Sequence, residues 1–131
     1  MRIPPTRSKI KLNMTSKGFQ EIRDVESLDS FLQQSNGSPT ILFKHSNTCG
    51  ISARAHRQMA EVEQSVGIVI VQNARAVSEE IVRRFGLSHE TPQVLIVRGD
   101  DLLWDASHNN VSAPAVEAAL EKVNEDVKQN A

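Results

Sequence analysis

The chain has 131 residues, 39% hydrophobic and 24% charged, with a formal net charge of −1. That size allows one domain with a modest core and no disulfide or metal staple. The charge balance makes no case for nucleic acid or an anionic membrane as a partner, and no apolar run approaches the ~20 residues of a membrane span.

Residues 1–17 hold Pro4, Pro5 and five basic side chains without sustained periodicity, which predicts a disordered tail ahead of one domain over 18–128. Met14 is a second candidate initiator there. A basic arm for a polyanion is the sharper reading, against a merely solvated run. Phe19 to Ile22 reads as a short edge strand. Val25, Leu28, Phe31 and Leu32 mark a helix face, closed by Asn36-Gly37-Ser38-Pro39.

Thr40 to Lys44 is an apolar run of strand length. Beyond it Ile51, Ala55, Met59, Val62 and Val66 recur at helical spacing, with Gly67 as the break and Ile68 to Val71 as a buried strand. The next helix takes Ser78 as cap, Glu79 and Glu80 in its first turn, Arg83 and Arg84 in its last, and Gly86 beyond. After Pro92, Val94 to Val97 and Leu102 to Trp104 read as a hairpin around Gly99-Asp100. Ser112 and Pro114 open a final helix whose Val116, Leu120, Val123 and Val127 face the core.

The order is β-α-β-α-β-α-β-β-α. Strands separated by helices are expected to pair parallel and the hairpin antiparallel, giving an α/β mixed sheet with helices on both faces. This order resembles a thioredoxin-like fold with its reactive cysteine after the second strand.

Cys49 is the only cysteine, so no intrachain disulfide is available, and with no apolar signal core the chain is expected in a reducing cytoplasm. It falls where strand gives way to helix. A thiol there sees unpaired backbone N–H groups and the positive end of the helix dipole, which favour thiolate. Ser46 or Thr48 is the candidate cap, and Gly50 leaves room for a substrate beside the backbone. The bland alternative is a small buried hydrophobe; polar Asn47 and Thr48 beside Gly50 argue for a loop instead.

His45 is the candidate cation near the sulfur, and Arg54 and Arg57 follow on the helix, where a solvated face is the simpler reading. No CxxC or HxxxH spacing supports a metal site, so none is expected. Thr91-Pro92 precedes the hairpin. Thioredoxin-like folds usually set a cis-proline loop against the active cysteine, where the Thr91 backbone would pair with an extended thiol substrate. Trp104 is expected in the hairpin core.

His45 to Ser52 is similar to the TCPIS active-site region of monothiol bacilliredoxins, the YtxJ type. So are Val71-Gln72-Asn73-Ala74-Arg75-Ala76-Val77-Ser78, Gly86, His89-Glu90-Thr91-Pro92-Gln93 and Trp104-Asp105-Ala106-Ser107-His108. The likeness spans roughly residues 19–123. It implies a thioredoxin-like fold, Cys49 as nucleophile, and Thr48, Ile51 and Ser52 as active-site neighbours. It also implies bacillithiol as co-substrate, S-bacillithiolated proteins as clients and no tightly bound cofactor. Bacillithiol carries carboxylates, for which Lys44, His45 or Arg54 are candidates by charge.

The family has proline after the cysteine; here the residue is Gly50. That makes Cys49-Gly50-Ile51-Ser52 resemble the CGFS motif of monothiol glutaredoxins, which bind glutathione and share an iron–sulfur cluster between subunits. Those proteins usually carry a Gly-Gly segment after the hairpin, where this chain has Trp104 to His108. The expected activity is therefore monothiol thiol–disulfide exchange. An iron–sulfur carrier and a non-catalytic binding module are the alternatives.

Overall fold

In the computed structural model the described residues are 18–129, with side chains described to 126. The expected tail, its basic arm and Met14 lie outside them, as does the side chain of Val127. Five strands and four helices follow in the expected order. They are β1 (Phe19–Glu21), α1 (Val25–Gln34), β2 (Thr40–His45), α2 (Gly50–Ala60) and β3 (Val66–Ile70). Then come α3 (Arg75–Phe85), β4 (Gln93–Arg98), β5 (Asp101–Ser107) and α4 (Ala113–Gln129). No helix among the described residues is long and apolar enough to cross a membrane.

The sheet order is β1-β3-β2-β4-β5. β1 and β2 both run parallel to β3, while β4 runs antiparallel to β2 and to β5. The rule that a helix between strands returns the chain parallel therefore fails once. The 11 residues of α3 carry the chain back by roughly 16 Å at 1.5 Å per residue. The irregular stretch 86–92 then recrosses that distance, because extended chain covers about 3.3 Å per residue. β4 consequently starts opposite the end of β2, with Gln93 paired to Lys44.

Alternation along the strands divides the core into two layers. Ile41, Phe43, Val94 and Ile96 pack with Ala55 and Met59 of α2 and Val116 and Leu120 of α4. Leu42, Val69, Leu95 and Val97 pack with Leu28, Phe31 and Leu32 of α1 and Val77 and Ile81 of α3. The hairpin register slips between Ile96 and Val97, and Leu103 and Trp104 both pack on the α2/α4 layer. Trp104 is partly buried there, as expected of hairpin core.

Several boundaries differ from the sequence pattern. α2 ends at Ala60, so Val66 and Gly67 belong to β3 rather than to the helix or its break. A Cβ on Gly67 would stand 2.6 Å from the Phe31 ring, so the glycine is required by packing. Ser78 is not the cap of α3, which starts at Arg75 with Ala74 at its N-cap and no side-chain cap bond. Serine is a favoured cap residue, which suggested a boundary, whereas the Ser78 side chain is buried inside the helix. Gly86 ends α3 at φ 65°, the left-handed conformation that glycine supplies without strain. Ser112 caps α4, its Oγ accepting from the Ala115 amide at 3.2 Å.

Candidate functional site around Cys49

The carboxyl end of β2 turns through Ser46, Asn47 and Thr48 into α2. Cys49 is the N-cap residue of α2, extended at φ −109° and ψ 127°, and its carbonyl accepts from the Ala53 amide at 3.0 Å. It is a free thiol of intermediate exposure. No side chain caps α2, so neither Ser46 nor Thr48 takes the expected role. The sulfur belongs to the residue whose side chain normally accepts from the first-turn amides, where backbone N–H groups face an anion.

Ser46 and Thr48 are used elsewhere. The Ser46 Oγ lies 3.2 Å from Thr48 Oγ1, and the Gln72 amide donates to both, at 2.9 and 3.3 Å. Gln72 Oε1 in turn accepts from the Asn47 backbone N–H at 3.2 Å. One side chain from the turn after β3 thus holds three successive residues of the loop ahead of Cys49. Gln72 lay within the stretch that carried the family likeness, but no spacing rule marks a glutamine as a loop clamp.

Ser52, three residues beyond Cys49, is fully buried. Its Oγ accepts from the Ser46 backbone N–H at 2.9 Å and lies 2.9 Å from His45 Nδ1. One buried hydroxyl therefore ties the Ser46 backbone and the His45 ring together. The His45 ring also lies, tilted, 4.9 Å from His56 and 5.5 Å from Phe43 between ring centres. Burial first, and then the neighbouring His56, hold the His45 pKa below its ordinary value. His45 is consequently a neutral, hydrogen-bonded residue, and the expectation of an imidazolium beside the sulfur is corrected.

The other candidates separate by exposure. Ile51 is 43% exposed, so it leaves the apolar face of α2 and lies open next to Cys49. Gly50 is exposed, and a Cβ there would meet nothing within 4 Å, so its glycine is not imposed by packing. Arg54 is exposed and makes no ion pair among the described residues. Lys44 is fully buried, which removes it as a surface contact for a carboxylate. A shallow cleft of about 310 Å³ borders the loop, lined by His45, Ser46, Asn47, Ala53, His56 and Arg57.

Thr91-Pro92 is a cis peptide bond, and it leads into β4 at the end of the sheet where β2 delivers Cys49. Its loop is latched to the segment after β5. The His108 backbone N–H donates to the Pro92 carbonyl at 2.9 Å, and His108 Nε2 lies 2.9 Å from Glu90 Oε1. Thr91 is therefore bracketed on both sides while remaining half-buried.

A family model described as monothiol bacilliredoxin BrxC matches residues 20–116. The chain belongs to that family. The BrxC match takes in every residue of the loop, of the α2 start and of the Thr91-Pro92 segment described above. Solved structures agree on the fold. One described as having a thioredoxin fold superposes at TM-score 0.72 with 22% identity, over 77% of this chain and 92% of that one. Thioredoxin from Trypanosoma brucei brucei gives 0.69 with 15% identity, over 86% and 98%. Mitochondrial thioredoxin 3 from Saccharomyces cerevisiae gives 0.63 with 8% identity, over 79% and 94%. BrxC membership and the thioredoxin fold together support a thiol oxidoreductase-like role for this chain.

Proposed function

We propose that the protein removes bacillithiol from S-bacillithiolated client proteins by exchange through Cys49 alone. The observation that carries this reading is the pairing of a sole cysteine at the α2 N-cap with a serine, Ser52, three residues on. A second cysteine there would resolve a mixed disulfide internally; Ser52 is instead committed to His45 and Ser46.

In the first step the Cys49 thiolate attacks the bacillithiol sulfur of the client mixed disulfide. A sulfur–sulfur bond forms to Cys49, the old one breaks, and the client cysteine leaves as thiolate and takes a proton. In the second, another molecule of small thiol attacks that cap. Cys49 is regenerated, and the two small thiols leave as their disulfide. The Thr91 backbone, held between Glu90 and Pro92, supplies main-chain groups against which an extended client segment lies. A reducing cytoplasm keeps Cys49 as thiol between turnovers.

The test is release of bacillithiol from a modified client peptide, followed by mass spectrometry. Wild-type protein is expected to free the peptide and to carry the bacillithiol mass on Cys49. Cys49→Ser is expected to give only the rate of small thiol alone. Unchanged release by that variant overturns the reading. A visible cluster absorbance on anaerobic iron–sulfide reconstitution, dependent on Cys49 and on dimer formation, would point to the carrier function instead.

A further inference from the structure

On the α3 side of the sheet, a pocket of about 430 Å³ is lined by Val71, Arg75, Ser78, Glu79, Val82 and His89. None of these residues has a part in the exchange chemistry. Arg75 and Glu79 stand one helical turn apart on α3, with the cation nearer the N-terminus, the poorer order for a mutual pair. No ion pair joins them among the described residues, so both charges are free to meet a ligand.

His89 is fixed from behind. Its Nδ1 lies 3.0 Å from the Lys44 ammonium and 3.4 Å from Ser78 Oγ. An ammonium only donates, so Nδ1 accepts and the ring proton sits on Nε2, the nitrogen turned away from Lys44. Lys44 is fully buried, and its charge behind the imidazole polarises that outward N–H. Burial, and then the Lys44 charge, hold the His89 pKa below its ordinary value, which keeps the ring in this neutral form. On the same face of the sheet, beside Lys44, the buried Gln93 Oε1 has no hydrogen-bond partner.

We infer that this pocket binds a compact ampholyte of the α-amino acid type. Its carboxylate meets His89 Nε2–H and the Arg75 guanidinium, its ammonium meets Glu79, and its aliphatic body lies against Val71 and Val82. A simple anion such as phosphate would face the Glu79 carboxylate, and a simple amine would face Arg75. Only a molecule bearing both charges leaves no like-charge contact in the pocket. The inference is independent of Cys49, so its failure leaves the exchange reading standing.

The experiment is side-chain NMR of His89 in the full chain, titrated with L-valine. Comparison titrations use isovalerate, which lacks the amine, isobutylamine, which lacks the carboxylate, and inorganic phosphate. L-Valine is expected to shift His89 and Ser78 saturably, with each comparison ligand at least tenfold weaker. Glu79→Gln should erase the advantage of valine over isovalerate, and Arg75→Gln should weaken both at least tenfold. Both side chains are on the surface of α3, and unchanged amide spectra confirm that the variants fold. No saturable response to L-valine, an equal response to phosphate, or undiminished binding by both variants overturns the inference.

Discussion

The hydroxyl of Ser52 lies 2.9 Å from Nδ1 of His45, joining the start of α2 to the end of β2 beneath the Cys49 loop. Because the same oxygen accepts from the Ser46 amide, one buried atom fixes both the loop path and the place of the histidine ring. Ser52→Ala leaves a buried N–H and a ring nitrogen without partners, which costs about 1–3 kcal/mol. The unfolding free energy from urea titration is expected to fall by that amount, with slower thiol exchange as the loop loosens. A variant as stable as wild type would show that the bond is dispensable.

Acid destabilises the fold through two histidines. His45 and His89 both have folded pKa values below the ordinary 6.5, burial being the first cause for each. Between those folded values and 6.5 the unfolded chain binds more protons. The contribution to stability is thus complete above 6.5 and is lost as pH falls through the folded values. Urea midpoints measured from pH 7 downward should drop, and a His45→Gln/His89→Gln double variant should show a shallower pH dependence than wild type.

Lys44 acts in a higher window with the same sign. Its burial lowers the folded pKa from 10.5 to about 8, against a smaller opposing pull from Glu90. Below about 8 the folded protein carries the full cost of a buried ammonium, at most about 3 kcal/mol from that shift. Stability is expected to rise with pH from 8 to 10.5, as the unfolded chain then binds more protons. Lys44→Met should be the more stable protein at pH 7, with the difference shrinking across that window. Parallel pH curves for the two proteins would contradict the assignment.

The element order, the two core layers and the position of Cys49 were legible because strand alternation and helical spacing depend on burial alone. β4 ran against expectation because direction is set by the length of the stretch 86–92, which periodicity does not register. Ser78 and Gly67 misled for the opposite reason. Serine near a helix start and glycine near a helix end are boundary signals on average, while here tertiary contacts with His89 and Phe31 decide their places. At the site, His45 was visible as a residue but not as a neutral one, since its burial and its Ser52 bond exist only in the fold. Gln72 carried no local signal at all.

Gly67 tests the packing reading directly. An alanine Cβ would meet the Phe31 ring at 2.6 Å and Ile22 at 3.0 Å, inside the α1 layer. Gly67→Ala is expected to cost about 1–3 kcal/mol by overpacking, read as a lower urea midpoint at unchanged slope. Adding Phe31→Leu should recover part of the loss, a non-additivity expected of side chains in contact. Strictly additive costs would place the strain elsewhere.

His108 holds the cis-proline loop with two different bonds, and they separate by substitution. Its backbone donates to Pro92, its ring meets Glu90, and it is the one non-glycine residue at positive φ, 57°, among those described. Glycine keeps the backbone bond and relieves a left-handed conformation worth about 1 kcal/mol, while losing a surface pair worth 0–1 kcal/mol. His108→Gly should therefore match wild type in global stability to within about 1 kcal/mol. Local order should not match. With Glu90 released, the residue-108 amide that donates to the Pro92 carbonyl is expected to lose protection several-fold, after correction for the intrinsic rate of glycine, while Leu95 and Ile96 in β4 keep theirs. Equal protection at residue 108 in both proteins would mean that the Pro92 carbonyl bond alone positions the loop, and that the histidine ring is idle.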